Sequence, residues 1–217
     1  KFVAEKKDEV IEKLGLTKNS FVALAAGKYG AAVKTAGALR KLLGAQVEGH
    51  MDAERYEFCW IVDFPMYEIG EESGELEFCH NPFSMPQGGL DALNNMDPLE
   101  ILAYQYDIVC NGVELSSGAV RNHDIEIMKK AFEIAGYSED VLKEKFGALY
   151  NAFQFGAPPH AGMAPGVDRM IMLLRNEENI REVIAFPMNS SAQDLMCGAP
   201  GEITEKQLRE AHIKVRD

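Results

Sequence analysis

Apolar residues recur every three or four positions in several segments of the chain, which is the spacing of one face of an α-helix. The residues that bound these segments fit helix caps: Asp124 and Ser138 precede two of them, and Gly15 follows another. Thr204 and Gln207 form a capping-box pair near the C-terminus. The pattern predicts helices over 8–14, 31–43, 125–135, 139–153 and 167–174, and a short one from 205.

Other apolar runs are short and rich in β-branched and aromatic residues, which is typical of strands. Two runs, 21–26 and 58–64, are predicted strands; the second is predicted to be buried, and Pro65 ends it. The segment 66–77 predicts a hairpin around a glycine-rich acidic turn at 70–74. The segment 99–115 predicts a helix end followed by a strand and a turn.

These elements predict an α+β protein in two parts. Residues 1–50 contain a helix, a strand and a second helix, which indicates part of a small α+β module. The polar stretch 46–54 has the composition of a linker. Residues 51–217 form the second predicted domain.

The composition is ordinary for a globular protein, but the charge is not. The 217 residues carry a formal net charge of −12, whereas broad nucleic-acid-binding surfaces are basic. Composition alone therefore predicts no nucleic-acid partner. No apolar run approaches the length of a membrane span, and the first residues show no secretory signal. The four cysteines form no CxxC pair, which argues against a zinc ribbon and favours reduced, mostly buried thiols.

The segment Gly162 to Arg169 is the first candidate for chemistry. Small residues lead into an amphipathic helix, so a ligand could lie against the backbone near the partial positive charge of the helix N-terminus. Gly166, Val167 and Asp168 occupy this turn, and the guanidinium of Arg169 is a planar, permanently charged donor for phosphate. Spacing alone favours the alternative, an ordinary glycine-rich turn with a surface Asp–Arg pair.

Asp107, Glu114 and Arg121 stand seven residues apart and form a second candidate. Two carboxylates near a nucleotide can hold Mg²⁺ through oxygen ligands, and an arginine can grip a small carboxylate with two parallel hydrogen bonds. Solvated charges at strand ends explain the pattern equally well. His80 and His160, each near proline, are further candidates, although a loop position explains such histidines more often.

Taken in order, several segments resemble the bacterial aspartyl-tRNA synthetases. The similarity covers about 56–215, and residues 1–50 resemble the end of that family's GAD insertion domain. The matching segments are 59–65, 80–83, 111–114, 156–160, 162–169 and 181–187.

The resemblance implies a class II catalytic fold, an antiparallel sheet flanked by helices. It implies ATP binding through Glu114 and the third class II motif, Gly166 to Arg169, with Arg169 on the γ-phosphate. Glu114 and Asp107 would hold Mg²⁺, while Arg121 and His80 would bind L-aspartate. One departure is Asn81, where many members of the family have a second histidine.

The implied reaction is aspartate activation by ATP, with transfer to tRNA(Asp), and tRNA(Asn) is a second candidate. The expected parent protein is a cytoplasmic homodimer without a membrane segment. The anticodon-binding barrel and the first two class II motifs are not recognisable in this sequence. We therefore expect a piece of a longer ligase that is inactive by itself. The alternative is a naturally short paralogue that acts as a small-molecule-binding or regulatory module.

Overall fold

A computed structural model describes residues 5–47, 49, 52 and 54–216, and the chain divides into two compact units, 1–55 and 56–217. In the first unit, helix α1 (Lys7–Leu14) ends at Gly15, whose φ of 60° gives the predicted left-handed cap. Helix α2 spans Tyr29–Gln46. The predicted linker falls partly outside the described residues.

The predicted strand at 21–26 is wrong: the described part of the first unit contains no strand. Phe21 and Leu24 are 71% and 67% exposed. A strand needs a neighbour to pair its backbone groups, and the described residues provide none for this segment. The apolar faces of the two helices are not buried: neither helix has a buried residue in the described structure.

The second unit is built on a four-stranded antiparallel sheet with the order β1-β4-β5-β6. Strands β2 and β3 form the predicted hairpin beside it. The strands are β1 (Phe58–Pro65), β2 (Tyr67–Ile69), β3 (Leu76–Phe78), β4 (Leu102–Cys110), β5 (Val113–Val120) and β6 (Ala161–Pro165).

Five helices and two 3₁₀ turns complete the described second unit, and three predicted caps are confirmed. Asp124 accepts hydrogen bonds from Glu126 N and Ile127 N, Ser138 accepts from Val141 N, and Thr204 forms the capping box. The helices are α3 (Gly89–Asn95), α4 (Ile125–Ile134), α5 (Glu139–Phe153), α6 (Val167–Leu174) and α7 (Glu205–Glu210), with 3₁₀ turns at Pro98–Glu100 and Ile180–Val183.

The core lies between the hairpin, one end of the sheet and helices α3 to α5. Met66, Tyr67 and Ile101 are each 1% exposed, and Met128 is fully buried. The Tyr67 hydroxyl donates to the Ala131 carbonyl at 2.9 Å, and burial raises the pKa of Tyr67 well above its usual value. Burying each large apolar side chain stabilises the fold by roughly 1.5–3 kcal/mol, which anchors the sheet at this end.

The cysteines are free, as predicted, but they are not mostly buried. Cys59 and Cys197 are exposed, Cys79 is half-buried and Cys110 is buried. The prediction of a buried strand at 58–64 is wrong. The segment forms edge strand β1, and seven of its eight residues, Cys59 among them, are exposed. Among the described residues, no helix is long and apolar enough to cross a bilayer.

Candidate active site

The sheet register places Asp107, Glu114 and Arg121 on one face. Directly opposed residues of an antiparallel pair share a face, and so do residues two apart on a strand. Asp107 pairs with Ser117, and Arg121 follows Ser117 by four residues. Glu114 pairs with Val109, two residues beyond Asp107. We call the surface that carries these three side chains the site face.

A bulge determines that Glu114 belongs to this face. The register of β4 and β5 shifts between Ile108 and Val109, so Val109 lies opposite Glu114 rather than Leu115. Without the shift, Leu115 would point to the site face and Glu114 away from it. Accordingly, Leu115 is 8% exposed and the Glu114 side chain is 46% exposed.

Arg169 meets Glu114 at the edge of the site face. Strand β6 leads directly into α6, and the Gly166 N–H donates to the Leu115 carbonyl at 2.7 Å. Arg169 Nη1 donates to the Glu114 carbonyl at 2.7 Å and to Glu114 Oε1 at 3.1 Å. The structure thus joins two residues that the sequence analysis assigned to ATP.

The Arg169–Glu114 pair is exposed and can exchange for a ligand. The Arg169 side chain is 44% exposed, and solvent-exposed ion pairs contribute only about 0.2–1 kcal/mol. Arg169 also lines an open groove of about 610 Å³ beside the sheet. The other residues that line the groove are Val113, Met172, Glu178, Asn179 and Ile180.

Arg121 is half-buried, and its guanidinium makes no ion pair or hydrogen bond within the described part of the chain. Its backbone, in contrast, is fixed: the N–H donates to the His160 carbonyl at 2.9 Å, and a bridge joins it to Ser84. A guanidinium without a partner in the described residues, on a fixed backbone, suits a carboxylate ligand, because charged bidentate hydrogen bonds are among the strongest available.

The loop that carries His80 reaches the same face through Phe64 and Gln105. The rings of Phe64 and His80 meet edge to face with centroids 5.2 Å apart. Phe64 pairs with Ala103, so it shares the site face with Gln105, which donates to the Asn81 carbonyl at 3.5 Å. The side-chain oxygen of Asn81 accepts the Phe83 N–H at 2.9 Å and therefore stabilises the loop itself.

Asp107 and Glu114 fit a shared magnesium ion better than a metal site made by protein alone. Carboxylate oxygens are ligands that Mg²⁺ prefers, and Mg²⁺ is commonly held by one or two carboxylates together with substrate phosphates. In the described ranges, no cluster of three or more His, Cys, Asp or Glu side chains is placed to hold a metal. Asp107 and Glu114 therefore supply two candidate oxygen ligands, fewer than a complete metal site needs.

Sequence reasoning missed two polar residues near this face. His123 Nδ1 lies 3.3 Å from the Arg121 carbonyl, and the only sequence signal is its position two residues after Arg121. Gln87 Nε2 donates at 2.7 Å to the Asp63 carboxylate, where β1 bulges and Asp63 adopts a φ of 59°. No sequence pattern predicts that contact, because it depends on the bulge.

The chain belongs to the tRNA synthetases class II (D, K and N), whose family model matches residues 5–190. The family that the sequence analysis identified is confirmed, and with it the α+β class II fold. Within that family, the sequence matches aspartate–tRNA ligases of bacteria over part of their length.

Three relatives illustrate the similarity. The chain is 58% identical over 217 residues to the Streptomyces coelicolor aspartate–tRNA ligase, covering all of this chain and 37% of the relative. It is 59% identical over 204 residues to the Chlorobium phaeovibrioides aspartate–tRNA(Asp/Asn) ligase, covering 94% of this chain and 34% of the relative. A solved aspartyl tRNA synthetase from Entamoeba histolytica is 23% identical with a TM-score of 0.48, covering 88% of this chain and 32% of that one. The chain thus spans about a third of the length of the curated relatives it matches.

Proposed function

We propose that this chain supplies part of the active site of an aspartate–tRNA ligase. The observation that carries the proposal is the convergence of Arg121, Asp107, Glu114 and Arg169 around one face of the sheet, in a chain of this family. The substrates are L-aspartate, ATP and tRNA(Asp), and tRNA(Asn) is a second candidate. The ligase acts in the cytoplasm as a homodimer, and residues 1–50 belong to a GAD-type insertion.

In this proposal, Arg121 binds the side-chain carboxylate of aspartate and His80 lines the amino-acid pocket. The amide of asparagine cannot neutralise the guanidinium, so a buried charge would remain unpaired at a cost of roughly 1–3 kcal/mol or more. Sites built for a charged or hydrogen-bonding group reject analogues that lack it for this reason. The unpaired guanidinium of Arg121, held only through its backbone, supports the assignment.

Arg169 binds the γ-phosphate of ATP beside the N-terminus of α6, where Gly166, Val167 and Asp168 form the turn. Glu114 and Asp107 hold the magnesium ion of the nucleotide, which would neutralise phosphate charge when bound. Nucleotide binding separates Arg169 from Glu114, so each of these two charges exchanges one partner for another. Both side chains are exposed, and exposed ion pairs contribute little net free energy, so this exchange costs little free energy.

Activation requires the α-carboxylate of aspartate to attack the α-phosphate, with pyrophosphate leaving. The residues of this chain act by positioning and charge neutralisation rather than by forming a covalent intermediate. Arg121 fixes the far end of the amino acid, and Arg169 fixes the far end of the triphosphate. The reacting atoms are thereby placed between the two cations.

We also propose that residues 1–217 form no adenylate when isolated. Glu114 and Arg169 remain nearly half exposed, whereas electrostatic catalysis is strongest where water is excluded. Trp60 and Phe58 on β1 are 57% and 60% exposed, so this edge of the sheet does not enclose a pocket. The second class II motif, which would contact the α-phosphate, is not recognisable in these residues.

The test is aspartate-dependent exchange of pyrophosphate into ATP. The full-length polypeptide encoded by the gene should exchange with aspartate and only weakly with asparagine, and residues 1–217 should not exchange. Exchange by the isolated 217 residues would contradict the inactivity claim. Aspartate or ATP binding without turnover in the full-length polypeptide would favour a binding module instead.

A further inference from the structure

Two histidines bracket Arg121 at the end of strand β5. The Arg121 N–H donates to the His160 carbonyl at 2.9 Å, and the Arg121 carbonyl lies 3.3 Å from His123 Nδ1. The two imidazole rings lie with centroids 6.5 Å apart and planes tilted by 59°, and Phe153 packs edge to face on His160 at 6.2 Å. The backbone N–H of Arg121 therefore contacts the backbone of His160, and the backbone carbonyl of Arg121 contacts the side chain of His123.

The contacts fix how both rings carry their protons. A carbonyl oxygen can only accept, so His123 Nδ1 must carry hydrogen in order to bond with Arg121. The same holds for His160, whose Nδ1 lies 2.8 Å from the Pro158 carbonyl.

We propose that His123 is a positioning residue for Arg121, and this proposal rests on the role of Arg121 in the proposed function. Arg121 lies just beyond the last residue of β5; its N–H is held by the His160 carbonyl, and its carbonyl faces the His123 ring. The His123 ring restrains the carbonyl and thus the direction in which the long side chain leaves the strand. His160, singled out in the sequence analysis but without a role in the family resemblance, supports that ring.

Loss of the His123–Arg121 hydrogen bond should affect the binding of aspartate and not that of ATP. A typical hydrogen bond contributes about 0.5–1.5 kcal/mol net, which corresponds to a change of about two- to tenfold in binding. Removing the bond by H123A should raise KM for aspartate by about that factor. KM for ATP should not change, because Arg169 and Glu114 lie at the other end of the site face.

Two further variants separate positioning from a merely structural role. In H123N the side-chain amide nitrogen stands where Nδ1 stands, so the bond to Arg121 is kept; in H123Q the amide stands near the position of Nε2, so it is lost. The measurement is pyrophosphate exchange by the full-length polypeptide encoded by the gene, with H212A, at an exposed histidine after α7, as the control.

The inference predicts a raised KM for aspartate in H123A and H123Q, and a value near wild type in H123N and H212A. Equal KM for aspartate in all variants, or equal impairment of H123N and H123Q, overturns the positioning role while the proposed function stands. A parallel rise in KM for ATP also overturns it. If the wild-type polypeptide shows no aspartate-dependent exchange, the proposed function fails and the inference fails with it.

Discussion

At the scale of single residues, the site is defined by one cation without a partner and one with a replaceable partner. Arg121 is half-buried without an ion pair or a side-chain hydrogen bond in the described structure, whereas Arg169 is paired with Glu114. An unpaired guanidinium on a fixed backbone is poised for an anionic ligand. In the proposed function, a nucleotide and its metal ion replace the exposed ion pair between Arg169 and Glu114.

Replacing Arg121 with lysine should selectively weaken the binding of aspartate. Lysine keeps the charge but cannot form the planar pair of hydrogen bonds, and hydrogen bonds to charged groups contribute about 1.5–3 kcal/mol. We expect KM for aspartate in R121K to rise about ten- to hundredfold, with KM for ATP unchanged, in exchange assays of the full-length polypeptide. An equal loss for both substrates would point to misfolding rather than to lost recognition.

Replacing Glu114 with glutamine should alter the dependence of nucleotide binding on Mg²⁺. The substitution removes both the proposed magnesium ligand and the internal partner of Arg169. Without metal, the affinity for ATP should rise about two- to fivefold, because an exposed ion pair of about 0.2–1 kcal/mol no longer competes.

With Mg²⁺, that gain in E114Q should disappear. Calorimetry with and without the metal gives both values for the full-length polypeptide. Glu178→Gln is the matched control, since Glu178 lines the same groove without an ion pair to Arg169. The same change in E178Q would show that the effect is a general loss of negative charge.

At the scale of elements, local signals determine the helices and long-range pairing determines the sheet. Asp124, Ser138 and Thr204 cap their helices as predicted, because a cap depends on residues within one turn. The segment 21–26 has the composition of a strand but no pairing partner, so composition alone gave the wrong result. Apolar pattern predicts which residues prefer a sheet, but not whether a neighbouring strand exists.

In the candidate site too, the local sequence indicates the residue types, whereas strand pairing determines which residues lie together. The residue types at Arg121, Glu114 and Arg169 were recognisable from sequence, but seven-residue spacing does not predict that Asp107 and Glu114 share a face. The bulge between Ile108 and Val109 decides this, and it is a property of strand pairing. The contact of His123 with Arg121 depends likewise on how the chain leaves β5.

Removing the cap of helix α4 should destabilise the second unit. The Asp124 side chain accepts hydrogen bonds from Glu126 N at 2.8 Å and Ile127 N at 3.3 Å, and α4 buries Met128 in the core. We expect D124A to lower the free energy of unfolding by about 0.5–2 kcal/mol in urea titrations. D124N keeps the acceptor and should lose only a few tenths of a kcal/mol. Equal destabilisation of both variants would show that the carboxylate charge, rather than the cap, is responsible.

At the scale of the whole molecule, the chain is acidic and exposes large apolar side chains. The net charge of −12 does not suit broad contact with tRNA, and the composition-based prediction of no nucleic-acid partner conflicts with the proposed ligase. The composition-based prediction and the proposed function agree if the contacts with tRNA lie mainly outside these residues. The exposed side chains on β1 indicate a sheet edge that is open in the isolated chain.

Thiol labelling tests this distribution of exposed and buried surface. Burial, followed by the nearby Glu68 carboxylate, raises the pKa of Cys79 to about 11, and burial also raises the pKa of Cys110. Since the thiolate is the reactive form, both should react slowly at neutral pH. In residues 1–217, Cys59 and Cys197 should alkylate first, as read by mass spectrometry of tryptic peptides. Fast labelling of Cys110 would contradict the packing of β4.

The central claim is that one face of this sheet binds aspartate and ATP through Arg121 and Arg169. A crystal structure of the full-length polypeptide with L-aspartate, Mg²⁺ and a non-hydrolysable ATP analogue tests it most directly. The account predicts the aspartate side chain on Arg121, the γ-phosphate on Arg169, and Glu114 released from Arg169 toward the metal. Aspartate bound elsewhere, or an intact Arg169–Glu114 pair with nucleotide in place, would contradict it.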